Sequence, residues 1–157
     1  NPLAVVKNPR NIDDEQIRAC AATGGVIGAV VWGPLILKAG STQRPTVDDF
    51  IDVIDYLAQL LGSTDHIGIG TDFCLGTYPE HPHDPWGHIN YFEPVERDYH
   101  KHIAKGPTSP LLYPQGFSTY REILNLIEGL RQRGYGEDDV RKILGENYLR
   151  VFEQVWK

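Results

Sequence analysis

The sequence has 157 residues, of which 41% are hydrophobic and 23% charged, a balance typical of globular proteins. The net charge of −6 and the scattered basic residues argue against nucleic-acid binding, and no apolar run approaches the about 20 residues that a membrane-spanning helix needs. Two cysteines without CxxC spacing predict free thiols in a reducing compartment, so we expect a cytoplasmic location. Because the sequence begins at Asn1 and contains no Met, we expect it to be a piece of a longer protein.

Polar residues at three places form the capping-box pattern, in which an N-cap side chain is followed three residues later by a second polar side chain. The pairs, each of which predicts the start of a helix, are Asp13 with Gln16, Thr46 with Asp49, and Thr119 with Glu122. Gly24 and Gly62 predict the ends of the first two helices. The third helix has a predicted buried stripe of Ile123, Leu124, Ile127 and Leu130.

The C-terminal region predicts two further helices. One is expected from Glu137 to Leu144 and ends at Gly145, and Asn147 is expected to cap the other. We predict that Arg150 tethers this last helix to the rest of the fold.

Two short apolar runs predict β-strands that are covered on both faces, as in a parallel sheet. They are "GVIGAVVWG" at 25–33 and "HIGIG" at 66–70. The alternation of helices and strands predicts the α/β class. Because a complete (β/α)8 barrel takes about 250 residues, we interpret residues 1–157 as the C-terminal part of one barrel domain. A long loop insertion is predicted at 75–116, which is rich in Pro, Gly, His and aromatic residues.

Asp72 ends the second strand abruptly with a carboxylate. In parallel α/β folds, reactive groups lie at the carboxyl ends of strands, so Asp72 is a candidate catalytic residue. An Asp at this point is equally compatible with a turn cap, and spacing alone leaves both interpretations open. The long loop that follows favours the functional one.

Three blocks of sequence, in order, resemble the C-terminal portion of the membrane (renal-type) dipeptidases, peptidase family M19. They are "NPRNIDDEQIRACAATGGVIG" at 8–28, "DHIGIGTDF" at 65–73 and "GYGEDDVRKILGENYLRVF" at 134–152. The resemblance implies a metal-dependent hydrolase with a (β/α)8 fold and two zinc ions that share a bridging hydroxide. It also implies a small dipeptide-like substrate and, since family members are commonly homodimers, a homodimer.

The resemblance assigns roles to two residues. Asp72 falls on the family's catalytic aspartate, which shuttles a proton to the departing amine. Arg10 falls on the arginine that binds the terminal carboxylate of the substrate, a task for which a planar guanidinium is suited. The family's metal ligands are expected upstream of Asn1, so the resemblance implies that this chain alone is inactive.

Two departures from the family pattern leave alternatives open. "DFCLG" places Cys74 where the family has an acidic residue, and the insertion at 75–116 has no family counterpart. Both lie near the expected pocket, so another small amide or N-acyl substrate is an alternative. A degenerate, non-catalytic barrel is a third interpretation. We expect Cys74 to be a small buried filler and not a reactive thiol.

The insertion contains "HPHDPWGH", whose possible metal ligands are His81, His83, Asp84 and His88. Pro82 and Pro85 break any regular scaffold that would hold them, so we favour a lid over the pocket. The aromatic residues expected to anchor this lid are Trp86, Tyr91 and Phe92. His66, at the opposite end of the second strand, is predicted to be structural.

Overall fold

The computed structural model describes residues 1–73, 99, 103 and 110–156. Within this part of the chain, two parallel strands form the sheet: β1 (Ile27–Val30) and β2 (Ile67–Gly70). Ile27 pairs with Ile67, and Val30 pairs with Gly70. The α/β class and the parallel pairing are therefore confirmed, although each strand is shorter than its apolar run.

Five α-helices surround or follow the two strands in the described residues. They are α1 (Asp14–Ala22), α2 (Val47–Leu61), α3 (Ile123–Gln132), α4 (Glu137–Arg141) and α5 (Asn147–Val155). The first two begin as predicted, because both capping boxes form with the side-chain and backbone bonds that define the motif. Gly62 closes α2 with a left-handed backbone, at φ 66°.

The third predicted capping box is wrong. Among the described residues, the Thr119 side chain makes no capping bond. Instead, the backbone N–H and the hydroxyl of Ser118 donate to Glu122 Oε2, at 2.6 and 2.8 Å. These bonds hold the pKa of Glu122 below its usual value. The chain enters α3 through a 3-10 turn, Tyr120–Glu122, so Glu122 and not Thr119 is the residue that directly precedes the α-helix.

The predicted buried stripe of α3 is wrong at Leu124, which is 70% exposed. The buried residues of α3 are Leu126, Gly129 and Leu130, and Ile123 and Ile127 of the predicted stripe are partly buried against the same core. A Cβ atom at position 129 would lie 2.4 Å from Ile51 Cδ1, so glycine lets α3 approach α2 closely. The stripe follows this contact between helices, which the local sequence does not specify.

The last two helices are joined by a π-helical turn, Lys142–Glu146, in which Gly145 departs from helical dihedral angles. The break predicted at Gly145 is therefore confirmed, but Asn147 does not cap α5. Its buried side chain donates to the carbonyls of Thr64 and Ile67, at 2.7 and 2.8 Å. These two bonds fix the terminal helices to β2.

The predicted tether by Arg150 is confirmed. Its guanidinium donates to the carbonyls of Gly24 and Asp65, each at 2.9 Å. His66 has the structural role that was predicted, since its Nδ1 lies 2.9 Å from the carbonyl oxygen of Gly25. The three carbonyls, of Gly24, Gly25 and Asp65, all lie just before the strands, so the amino end of the sheet is held by hydrogen bonds.

The main core lies between one face of the sheet and the helices. Fully buried apolar side chains from five elements and the segment before α3 meet there, and they include Ile17, Ala29, Phe50, Ile54, Leu57, Ile67, Phe117 and Leu130. The other face of the sheet is covered at Gly68, where a Cβ atom would lie 2.4 Å from the ring of Tyr148. Both faces are thus covered at this point, as the continuous apolar runs predicted.

Most of the predicted insertion lies outside the described residues, but its end is described. A 3-10 turn, Pro110–Leu112, is followed by a backbone bridge between Thr46 and Gln115. A second apolar cluster is formed by Leu37, Tyr99, Ile103, Leu112 and Tyr113. Leu112 and Tyr113 are buried in this cluster, so the end of the predicted insertion packs onto the domain. No helix of the described residues combines the length and the apolar character needed to cross a membrane.

Candidate active site at the carboxyl ends of the strands

The two strands end side by side. Val30 and Gly70 are the last paired residues, and the N–H of Val31 still donates to Gly70 O at 3.1 Å. Trp32 and Asp72 each come two residues after their strand's last pair. The backbone register therefore brings the residues that follow β1 and β2 to the same edge of the sheet, where parallel α/β folds carry their reactive groups.

Arg10 reaches this edge through Trp32. The guanidinium carbon of Arg10 lies 5.0 Å from the centroid of the Trp32 ring, within the range of a cation–π contact. This contact holds the guanidinium of Arg10 over the face of the Trp32 ring. Arg10 itself is exposed. The arrangement suits a planar anionic group such as a carboxylate.

The loop that carries Arg10 is held by buried asparagines. The N–H of Arg10 donates to Asn8 Oδ1 at 3.0 Å, and Asn8 is fully buried. Asn11 Nδ2 donates to the carbonyl of Val6 at 3.0 Å. The side chain of Asn1 bonds both the N–H and the carbonyl of Val30, at 2.7 and 2.9 Å. The N-terminal segment is thereby fixed beside the end of β1.

Asp72 has an unusual backbone. Its φ of 51° is in the left-handed region, and it is the one non-glycine residue with positive φ in the described part of the chain. Asp tolerates this conformation better than most residues, yet it still costs energy. The carbonyl oxygen of Asp72 accepts a hydrogen bond of 2.7 Å from the hydroxyl of Tyr113. The carboxyl group projects from an exposed residue at the edge of the sheet.

Aromatic rings surround the neighbour of Asp72. Phe73 makes edge-on contacts with Tyr113, Phe117 and Tyr120, with ring centroids 4.9, 5.3 and 5.0 Å apart. On the other side of Asp72, Thr71 Oγ1 lies 3.0 Å from the hydroxyl of Tyr120. Both neighbours of Asp72 are therefore anchored to the segment that precedes α3.

The described residues hold no group of three or more His, Cys, Asp or Glu side chains that could bind a metal ion. Cys74 and the histidine-rich tract of His81, His83, Asp84 and His88 lie outside the described residues, as do the predicted lid anchors Trp86, Tyr91 and Phe92.

Several residues of this site were not recognised from the sequence. Trp32 stood inside a predicted strand, and Tyr113 was assigned to the insertion. Asn8 and Asn11 flank Arg10 in "NPRN", and two asparagines around an arginine are a signal that could have suggested a braced loop. Tyr113 and Asp72 are 41 positions apart, so no local pattern relates them.

A sequence model of the family described as Membrane dipeptidase (Peptidase family M19) matches residues 1–88 and 84–157. A relative in Klebsiella pneumoniae, an uncharacterized protein in the pqqA 5' region, is 30% identical over 159 residues that cover 100% of this chain and 45% of that protein. The dipeptidase ataJ of Aspergillus terreus (strain NIH 2624 / FGSC A1156) is 26% identical and aligns with 97% of this chain and 28% of its own length. The chain spans less than half the length of these relatives.

Two crystal structures are similar over nearly the whole chain. An amidohydrolase from Pseudomonas aeruginosa superposes with a TM-score of 0.70 and 35% identity, covering 99% of this chain and 43% of that one. A metallo peptidase from Rhodobacter sphaeroides, liganded with a phosphinate mimic of the dipeptide L-Ala-D-Ala, gives a TM-score of 0.69 at 23% identity, with coverages of 99% and 34%. At 23% identity the second likeness shows the fold alone.

Proposed function

We propose that the complete protein containing this chain hydrolyses the peptide bond of dipeptides, because the chain belongs to the membrane dipeptidase family (peptidase family M19). The observation that carries the proposal is the placement of Arg10, through Trp32, at the sheet edge where Asp72 follows β2. The guanidinium of Arg10 suits a substrate carboxylate, and the carboxyl group of Asp72 suits proton transfer.

The chemistry assigned to these two residues is simple. Arg10 binds the C-terminal carboxylate of the dipeptide through its planar N–H donors. Asp72 accepts a proton from the attacking water and passes it to the amine nitrogen as the C–N bond breaks. The products are two amino acids, and Asp72 returns to its starting state.

Two further parts of the proposal concern the complete protein. We propose that its strands form a (β/α)8 barrel, of which β1 and β2 with their helices are one segment. Two zinc ions are expected in that protein, and the family resemblance places their ligands outside the described residues. The homodimer stays a prediction.

Metal analysis of the complete protein as purified should give two zinc ions per chain.

The defining experiment compares catalytic efficiencies on plain dipeptides and on N-acetyl amino acids. We expect the complete protein to prefer a dipeptide such as L-Ala-D-Ala. A preference for the N-acetyl compounds would favour a second candidate, a hydrolase of other small amides. The 35% identity to a protein named an amidohydrolase supports that candidate. Absence of hydrolysis of either class would reject both.

Replacing Arg10 with methionine tests the carboxylate-binding role. We expect KM for a dipeptide to rise about tenfold to thirtyfold, equivalent to about 1.4–2 kcal/mol, because one charge-assisted contact at an exposed position is lost. The C-terminal amide of the same dipeptide should be hydrolysed equally by both proteins, since it carries no carboxylate.

The matched control is Arg18→Met, which removes an exposed guanidinium from α1. It should leave both substrates unaffected. An equal loss on the dipeptide and on its amide in Arg10→Met would show that Arg10 does not recognise the carboxylate.

A further inference from the structure

The left-handed backbone at Asp72 needs an explanation. Asp adopts a left-handed backbone more readily than most residues other than glycine, but a φ of 51° still costs energy and persists where neighbouring groups fix it. Such outliers concentrate at functional sites, where the conformation directs a side chain. The contacts around Asp72 therefore indicate what sets the direction of its carboxyl group.

The hydroxyl of Tyr113 is the direct contact to that backbone. It donates to the carbonyl oxygen of Asp72 at 2.7 Å, and only 8% of Tyr113 is exposed. The Tyr113 ring lies in the second apolar cluster with Leu37, Tyr99 and Leu112. Because the ring is packed on several sides, the hydroxyl has a fixed position from which to hold the Asp72 carbonyl.

The residues on either side of Asp72 are fixed by the same segment. Phe73 is enclosed by the rings of Tyr113, Phe117 and Tyr120, and Thr71 Oγ1 is bonded to the Tyr120 hydroxyl. The peptide units before and after Asp72 therefore have little freedom. With both units fixed, the Cα–Cβ bond of Asp72 leaves the chain in one direction, and this sets the region that the carboxyl group can reach.

We infer that Tyr113 is a positioning residue: its hydroxyl holds the left-handed backbone of Asp72 and so directs the carboxyl group toward the reacting amide. This inference rests on the proposed proton transfer by Asp72. Tyr120 supports the same geometry through Thr71. Tyr113 itself takes no part in bond making or breaking.

The test removes only the hydroxyl. In the complete, metal-loaded protein, Tyr113→Phe keeps the ring and should lower kcat for a dipeptide about tenfold, with KM changed less than about twofold, because a small misdirection of a reacting group is costly. Tyr135→Phe is the matched control. The hydroxyl of the half-buried Tyr135 also donates a 2.7 Å hydrogen bond, to Asp55 on α2, away from the site. It should leave kcat unchanged.

A double-mutant cycle separates positioning from general structural damage. If Tyr113 acts through Asp72, then Tyr113→Phe should change kcat less than twofold in a protein that already carries Asp72→Asn. An undiminished tenfold effect in that background would overturn the inference while leaving the role of Asp72 intact. If Asp72→Asn alone has no effect on kcat, the proposed function and this inference both fail.

Thermal unfolding keeps the test interpretable. Tyr113→Phe and Tyr135→Phe should unfold within a few degrees of each other. If Tyr113→Phe is much less stable, Tyr120→Phe takes its place in the cycle. This variant removes the hydroxyl that is bonded to Thr71, the residue before Asp72. Additive effects of Tyr120→Phe and Asp72→Asn would then overturn the inference.

Discussion

Replacing Asp72 with asparagine in the complete protein is expected to lower kcat for a dipeptide by about a hundredfold or more, with KM changed less than about threefold. The amide is nearly isosteric with the carboxyl group but does not accept and release the proton that the departing amine needs. Asparagine also tolerates the left-handed backbone found at this position, at φ 51°. The change therefore removes proton transfer and keeps the local fold. Steady-state kinetics measure both parameters.

Two comparisons make this result specific. Asp48→Asn, at a side chain that is 71% exposed on α2, should leave kcat unaltered. A substrate with an activated leaving group, such as a p-nitroanilide, needs less proton donation and should lose less activity in Asp72→Asn than a dipeptide does. A loss below tenfold on the dipeptide, or equal losses on both substrates, would reject the proton-transfer role.

The features of the fold that the sequence predicts correctly depend on neighbouring residues. Capping at Asp13 and Thr46 requires only a polar side chain three positions later, and it occurs as expected. The two strands are also found where continuous apolar runs predict them, because burial on both faces leaves a local signature. Arg150 was likewise identified correctly as a tether.

The predictions that fail depend on contacts made across the fold. Asn147 has the residue type and position of a helix cap, but the approach of β2 offers its amide two buried carbonyls. Leu124 fits the helical period of α3, yet the direction from which α2 packs leaves it exposed. Local patterns do not state which face of a helix a neighbour will meet.

In the candidate site, too, some residues could be predicted from the sequence and others could not. Asp72 was identifiable as a strand-end acid, and the family resemblance added Arg10. The partners of these residues were not identifiable, because Trp32 is 22 positions from Arg10 and Tyr113 is 41 positions from Asp72. Only the parallel register of β1 and β2 and the return of the chain before α3 bring these groups together.

The strand that leads to Asp72 is held at its other end by Asn147, and this bond network is expected to matter for stability. Asn147→Ala removes two hydrogen bonds, to the carbonyls of Thr64 and Ile67, from a residue that is 3% exposed. Each such bond contributes about 1 kcal/mol, and the vacated space adds to the loss. The Thr64 carbonyl retains a bond from the N–H of Ile67 at 3.2 Å, so it is not left without a partner.

We therefore expect the free energy of unfolding to fall by about 2–3 kcal/mol in Asn147→Ala, measured by urea denaturation of the complete protein. Asn125→Ala is the matched control, because the exposed amide of Asn125 donates one 2.8 Å bond to the carbonyl of Gly116. Water replaces that bond easily, so its loss should cost under about 1 kcal/mol. Equal effects of the two changes would mean that burial adds nothing to the Asn147 bonds, and the terminal helices would then owe their attachment to β2 mainly to apolar contacts.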